Sequence, residues 1–130
     1  MTWFLDSSAI IKLIVEESES KSLRSFLPAS IVASRISRLE VLRNVNRIEP
    51  KKLDRAREKM NGLSYVEINE HVLKNAEEIA LALEIKSLDS IQAGSALFIK
   101  DLIEGVISYD KNLNGALTKL GIKTVSPGVL

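Results

Sequence analysis

The sequence predicts an α/β fold in which a short parallel central sheet carries helices on both faces. Five short runs rich in β-branched or aromatic residues are separated mostly by longer segments with helical spacing. That alternation is typical of parallel strands joined by helical crossovers. The 130 residues contain no internal repeat, low-complexity tract or linker, so we expect a single domain over residues 1–130.

Each element has its own sequence pattern. Strands are expected at residues 2–5, 30–33, 65–68, 105–108 and 123–125. Helices are expected at residues 7–15, 18–26, 37–48, 50–62, 69–84 and 89–100, with a further helix after Asp110. Pro50 is suited to open its helix and Gly62 to close it.

Two of the helices are expected to begin at capping side chains. Asn69 and Asp89 can accept a hydrogen bond from the first turn that follows them. Small residues at 93–96 make the helix after Asp89 slim, so that it can lie close to the sheet. That approach would bring Asp89 to the mouth of the sheet.

Composition narrows the chemistry that the chain can support. No cysteine is present, which excludes disulfide scaffolds, thiolate nucleophiles, zinc ribbons and iron–sulfur clusters. The one histidine, His71, is expected in the first turn of a surface helix, and alone it cannot build a multi-histidine metal site. Oxygen ligands remain, and these select hard cations such as Mg²⁺ or Mn²⁺.

Neither a secretory signal nor a membrane span is expected. Asp6 and Lys12 interrupt the apolar residues at the amino end, and the longest uncharged stretch, residues 90–99, contains Gln92 and two serines. The protein is therefore expected in the cytoplasm.

Four acidic residues stand at or near element boundaries: Asp6, Glu40, Asp89 and Asp110. Asp6 and Asp110 each end a short strand and precede a helix, the place where open α/β sheets bind ligands. Carboxylates gathered there repel one another unless a cation holds them, so the pattern predicts a metal site. The alternative is that Asp6, Asp89 and Asp110 are ordinary helix caps.

A metal-dependent nuclease needs such carboxylates because a divalent ion can activate water and neutralise charge on phosphate oxygens. We expect Asp6 and Asp89 to be direct ligands and Glu40 to be a ligand or a water-orienting base. Asp110 is expected to be a second, water-mediated ligand. No histidine is placed to act as a base, so the metal would have to generate the nucleophile.

Four motifs occur in order along the chain. They are Leu5-Asp6-Ser7-Ser8-Ala9, Ser37-x-x-Glu40, Leu88-Asp89-x-x-Gln92-Ala93-x-x-Ala96 and Ser108-Tyr109-Asp110-x-x-Leu113. Together they resemble the PIN-domain ribonucleases, and in particular the VapC-type toxins of bacterial and archaeal toxin–antitoxin pairs, over essentially the whole chain.

The resemblance implies a PIN-like three-layer sandwich and an endoribonuclease that uses Mg²⁺ (or Mn²⁺). It also implies that Asp6, Glu40, Asp89 and Asp110 form the acidic quartet, with the hydroxyls of Ser8 and Ser108 near the metal. Asn112 stands where some relatives carry another acid, so the fourth corner depends on Asp110 alone.

Charge is distributed unevenly along the chain. Residues 35–59 carry nine Lys or Arg against four acids, a balance of +5, whereas residues 67–90 carry six acids and two lysines, a balance of −4. A basic face beside an acidic metal pocket suits RNA. Arg43 and Arg47 follow Glu40 by three and seven positions and are the expected substrate contacts. The alternative is that such charges form only solvated surface pairs.

The resemblance also implies a homodimer and a VapB-like antitoxin whose carboxyl-terminal segment lies in a groove and directs a basic side chain into the acidic pocket. Apolar side chains near the amino end could supply that groove: Ile10, Ile11, Ile14, Leu23, Phe26 and Leu27. The alternative is that all of them are buried within the monomer.

Three other functions compete with the nuclease. A phosphatase related to haloacid dehalogenases would use Asp6 as its nucleophile, but Ser8 stands where that motif has its second aspartate. A catalytically silent PIN-like module would bind RNA or protein without cleavage. An acid-lined domain that binds a small molecule or a metal would make no contact with nucleic acid.

Overall fold

A five-stranded parallel sheet forms the centre of the protein in the computed structural model, which describes residues 2–129. The strands are β1 (Thr2–Leu5), β2 (Ser30–Ser34), β3 (Ser64–Val66), β4 (Ile103–Ile107) and β5 (Thr124–Val125). Their order is β3-β2-β1-β4-β5, and all neighbours run parallel. The chain therefore builds one half of the sheet outward from β1 and then crosses to the other side of β1.

Seven α-helices connect the strands within the described residues. They are α1 (Ser7–Lys12), α2 (Ser20–Phe26), α3 (Ile36–Ile48), α4 (Leu53–Asn61), α5 (Glu70–Leu83), α6 (Ser87–Phe98) and α7 (Lys111–Lys119). Single 3₁₀ turns, Pro50–Lys52 and Lys100–Leu102, precede α4 and β4. Between residues 2 and 129, every helix is too short or too polar to cross a lipid bilayer.

Two apolar cores lie on opposite faces of the sheet, and strand alternation assigns β1 side chains to both. Trp3 and Leu5 belong to the core that α1 to α4 cover, and Phe4 belongs to the core that α5 to α7 cover. Helices therefore cover both faces of the sheet, as is usual for parallel sheets in α/β proteins. The prediction of a parallel sheet in a three-layer sandwich is confirmed.

Several predicted boundaries differ from the structure by two or three residues, among them the end of the first helix and the start of α6. The first helix stops at Lys12, three residues early, because Ile14 and Val15 are buried in a turn that follows it. Asp89 is not a helix cap: Lys86 is the extended residue before α6, and Asp89 is the third residue of its first turn. An acidic side chain is stabilised there by the helix dipole just as it is at a cap.

Helix α6 packs against α5 at Gly94. A Cβ atom on Gly94 would lie 2.8 Å from the backbone oxygen of Val72 and 3.0 Å from the backbone nitrogen of Ala76. The predicted slim helix is therefore observed, but Gly94 allows close contact with α5 and not with the sheet. His71 lies exposed in the first turn of α5 and stacks on Phe98, which agrees with its predicted surface position.

Gly94→Ala is expected to lower the free energy of unfolding by about 1 to 3 kcal/mol, because rigid backbone on α5 leaves no room for a methyl group. Gly115→Ala is the matched control, since a Cβ on that helical glycine meets no atom within 4 Å. The control should gain about 0.5 to 1 kcal/mol from helix propensity. Urea unfolding measures both changes, and equal effects would contradict the close packing at Gly94.

Candidate active site at the carboxyl edge of the sheet

The carboxyl ends of β1 and β4 lie side by side where the strand order reverses, which is the ligand-binding position of open α/β sheets. Asp6 follows β1, and Ser108 and Asp110 follow β4. Helices α3 and α6 bring Glu40 and Asp89 to the same edge. The fold therefore gathers all four predicted acids from four separate segments.

Asp6 is the most buried of these acids, with 4% of its surface exposed. Its Oδ1 accepts hydrogen bonds from Ser8 Oγ at 2.6 Å and from the backbone nitrogen of Ala9 at 3.1 Å, so Asp6 is the N-cap of α1. Its Oδ2 accepts a hydrogen bond from Ser108 Oγ at 2.8 Å. Both predicted hydroxyls thus orient the carboxylate of Asp6.

Burial raises the pKa of Asp6 to about 6, and the charge of Asp110 acts in the same direction. The hydrogen bonds from Ser8, Ser108 and Ala9 act against this rise but do not cancel it. Asp6 is consequently a buried carboxyl group without a compensating positive charge among the described residues.

Glu40 is held by a network of buried polar side chains. Ser7 Oγ donates to Glu40 Oε1 at 2.8 Å, and Gln92 Nε2 lies 2.9 Å from the same oxygen. Gln92 Nε2 also contacts Ser7 Oγ at 3.0 Å and Ser37 Oγ at 2.8 Å, which connects α6 with α1 and α3. These contacts fix the carboxylate of Glu40 at the wall of the site.

Asp89 and Asp110 complete the acidic wall. Asp89 is half-buried, and its pKa is raised by burial and by the charges of Asp110 and Glu40. Asp110 is the N-cap of α7, because its Oδ1 accepts a hydrogen bond of 3.0 Å from the backbone nitrogen of Leu113. The cap interpretation is thus correct for Asp6 and Asp110, and neither cap removes the residue from the site.

An open pocket of about 430 Å³ lies in front of these side chains and is lined by all four acids. Within residues 2–129, however, no three acidic or histidine side chains are arranged so that they could hold one metal ion. The expected close triad of Asp6, Glu40 and Asp89 is therefore not formed in this arrangement. In this arrangement, hydrogen bonds hold Glu40 against Ser7 and Gln92.

The basic residues of α3 separate into two groups. Arg47 lines the acidic pocket together with Asn44, which accepts a 3.1 Å hydrogen bond from it. Arg43 is exposed and is not part of the lining. In the described residues, Arg43 also makes no salt bridge with Glu40. The two arginines that sequence spacing grouped together thus face different surroundings.

Several functional side chains received no role from the sequence. Gln92 donates to both Glu40 and Ser37, and Lys12 lines the pocket while pairing with Glu19 at 2.7 Å. Gln92 follows Asp89 by three positions and Ser37 precedes Glu40 by three, so helical spacing could have placed both on the faces of the acids. Asn112 lies outside the lining of the acidic pocket and belongs to the neighbouring groove.

Comparison with known proteins gives a consistent result. The family model described as PIN domain matches residues 3–116. Ribonuclease VapC47 of Mycobacterium tuberculosis (strain CDC 1551 / Oshkosh) is 33% identical, covering 98% of each chain. Ribonuclease VapC46 of M. tuberculosis (strain ATCC 25618 / H37Rv) is 30% identical, covering 95% of this chain and 96% of the relative.

Similarity to solved structures extends to the three-dimensional arrangement. A toxin–antitoxin complex from Klebsiella pneumoniae contains a chain that superposes with a TM-score of 0.76 at 16% identity, covering 96% of this chain and 97% of the other. The family match, the identity to two curated relatives and the shared fold agree. The chain belongs to the PIN-domain family and is of the VapC type.

Proposed function

We propose that this protein is a divalent-metal-dependent endoribonuclease that serves as the toxin of a toxin–antitoxin pair. The observation that carries the proposal is the gathering of four carboxylates in one pocket at the switch between β1 and β4. In residues 2–129 none of them forms a salt bridge, so their mutual repulsion is left for a ligand to relieve. A cation is the ligand that such a wall selects.

The donor set fits Mg²⁺ or Mn²⁺, because the acids of the pocket offer only hard oxygen ligands. Asp6 and Asp89 would hold the metal directly, Glu40 would hold it or orient water, and Asp110 would act through water. The bound ion would supply Lewis acidity, activating water and offsetting charge on the phosphate.

The protein side chains perform the positioning. Ser8 and Ser108 orient the carboxylate of Asp6, and Ser7 and Gln92 orient that of Glu40. Glu40 then stands at the pocket wall as the group that can accept a proton from water.

The names of the relatives support RNA as the substrate class. VapC47 and VapC46 are both called ribonucleases, and they cover nearly the whole chain. An enzyme that acts on cellular RNA would work in the cytoplasm. Incubation of end-labelled single-stranded RNA with the purified chain, in Mg²⁺ or Mn²⁺ and in EDTA, tests the activity. Internal cleavage only with metal supports the proposal, whereas binding without cleavage would favour the silent module.

Arg47→Ala is expected to weaken RNA binding in EDTA about fivefold at 0.1 M salt, the contribution of one phosphate contact to a single strand. The slope of log affinity against log salt should fall by about 0.7. Arg43→Ala is the matched control on the same helix and should change both quantities less, because Arg43 lies outside the pocket lining. Fluorescence anisotropy measures these values. A larger loss for Arg43 would place the strand on the outer face of α3.

An antitoxin partner is supported by the fold shared with the Klebsiella toxin–antitoxin complex. The predicted amino-terminal groove is wrong for half of its residues, since Ile10, Ile14 and Leu23 are buried in the core. Ile11 and Leu27 are partly buried, and Phe26 is exposed. Among the exposed apolar side chains, Ile48 lines the acidic pocket, and Leu39 and Leu88 directly precede Glu40 and Asp89 in the sequence. We propose that an apolar antitoxin segment covers these three side chains.

Co-expression with a small neighbouring open reading frame product tests the pairing. A co-purified complex with blocked RNA cleavage would support it, and Leu39→Asp should weaken that complex. If the Leu39→Asp variant still co-purified with the partner as wild type does, the assigned surface would be wrong. We also propose a homodimer, and light scattering that shows only monomer across micromolar concentrations would contradict it.

A further inference from the structure

A second groove adjoins the acidic pocket, and the two share Asp89 as a common wall. This groove has a volume of about 410 Å³ and is lined by Lys86, Lys111 and Lys119, here called the lysine groove. Glu84 is the other acid that lines it, so positive charge prevails. The groove runs between the end of α5, the start of α6 and one face of α7. No residue of the basic run 35–59 lines this groove.

Within the described residues, the side chains of the three lysines are left available to a ligand. In residues 2–129, none of them takes part in a salt bridge or a side-chain hydrogen bond with the protein. In the basic run of residues 35–59, by contrast, Arg35 and Arg57 are paired with Glu67 and Asp54. Cations without local partners dominate the field that a polyanion meets. Two of the nine cations in that run are therefore neutralised by an acid, whereas all three lysines of the groove lack such a pair in the part of the chain that the structure describes.

The floor of the groove is apolar and open. Leu83, Ile85 and Ala116 line it between the lysines. Gly115 also lines it, and a Cβ on this residue would meet no atom within 4 Å. Glycine in a helix costs stability, and no packing contact requires it here. The missing side chain leaves room above the floor, which a flat nucleotide base could occupy.

We propose that the lysine groove binds the segment of single-stranded RNA next to the reacting phosphate. Lys86, Lys111 and Lys119 hold backbone phosphates, and a base lies on the apolar floor in the space left by Gly115. The strand then passes Asp89, so that one phosphate reaches the four acids. This inference rests on the proposed ribonuclease function, and it names the path of the substrate.

The test uses the full chain, a defined single-stranded RNA and EDTA to prevent metal-dependent cleavage. The double variant Lys111→Ala with Lys119→Ala should weaken binding about 25-fold at 0.1 M salt and lower the salt slope by about 1.4, the values for two contacts. Lys74→Ala, an exposed lysine on α5 outside the groove, is the matched control and should change neither quantity.

Gly115→Leu tests whether open space in the groove matters for RNA binding, because it fills that space without changing the charge. Its melting temperature should stay equal to wild type or rise, because the side chain enters open space in a helix. RNA binding should nevertheless fall, since leucine fills the position proposed for the base. In Mg²⁺, wild type and variants should cleave equally well an RNA that lacks the segment proposed to lie in the groove.

Unchanged RNA affinity in both the double-lysine variant and Gly115→Leu would overturn the inference. If wild type still cleaved RNA in that case, the proposed ribonuclease function would stand and only the substrate path would be wrong. If wild type neither bound nor cleaved RNA, both would fall. An equal loss of RNA affinity in Lys74→Ala would show a general effect of charge. That result would also overturn the proposal that RNA binds in the lysine groove.

Discussion

Asp6→Asn is expected to lower metal-dependent RNA cleavage by more than about 100-fold, because loss of a side chain that only hydrogen-bonds to a metal ligand already costs about 10- to 100-fold and Asp6 is a proposed direct ligand. The amide oxygen carries no charge, so it cannot attract a divalent ion as the carboxylate does. Asn is also a good N-cap and can accept the bond from Ala9, so α1 should form normally. Gel assays of end-labelled RNA in Mg²⁺ measure the loss, and circular dichroism checks the fold.

Asp89→Asn should show the same loss, because Asp89 lines the pocket from the start of α6 and is the second proposed direct ligand. Asp54→Asn is the control for charge removal, since Asp54 is exposed and pairs only with Arg57 on the surface of α4. Cleavage close to wild type in Asp6→Asn would show that Asp6 is only a helix cap. Unfolding of both site variants would show that the two acids are required for the fold.

The fold was predictable because apolar runs, crossover lengths and capping residues agree with one another along the chain. The first helix shows where this reasoning fails. Ile14 and Val15 continue the apolar pattern and are buried, yet they lie in a turn after Lys12. Apolar periodicity reports burial, and a buried turn gives the same pattern as a buried helix end.

The site was predictable in its acids but not in what holds them. Strand ends place Asp6 and Asp110 by topology alone, since the switch between β1 and β4 follows from strand order. The bonds from Gln92 to Ser7 and Ser37 join residues 85 and 55 positions apart, and their geometry depends on how α6 packs against α1 and α3. Residue spacing contains no such information.

Charge counting had the same limit. The run of residues 35–59 is strongly basic in sequence, but part of that charge is neutralised locally, as in the pair of Arg57 with Asp54. Lys111 and Lys119 belong to no basic run, yet the fold brings them beside Lys86 in one groove. The field that a substrate meets is set by which charges remain unpaired in three dimensions.

In metal-free protein, the stability difference between Asp6→Asn and wild type is expected to depend on pH. Burial raises the pKa of Asp6 to about 6, above the 3.8 of an exposed aspartate. The native state then binds the proton more tightly than the unfolded chain does. Asp6 therefore stabilises the fold fully below about pH 3.8, and that stabilisation is lost as pH rises to about 6.

The shift from 3.8 to about 6 corresponds to roughly 3 kcal/mol at neutral pH, as an order of magnitude. Asparagine carries no ionisable group, so the variant should gain on wild type by up to that amount between pH 4 and pH 7. Urea unfolding in EDTA at four pH values measures the difference. Comparing the two proteins removes the contribution of every other titrating group.

Adding Mg²⁺ at pH 7 should then raise the unfolding free energy of wild type and leave the variant nearly unchanged, because a ligand of the native state stabilises it by mass action. The pH-dependent stability difference between Asp89→Asn and wild type should have the same sign but be smaller, since Asp89 is only half-buried and its pKa is also raised. A difference between wild type and Asp6→Asn that stayed constant from pH 4 to pH 7 would mean that Asp6 is ionised at no cost. The buried carboxyl would then need no cation, and the physical basis for metal binding at this edge of the sheet would be lost.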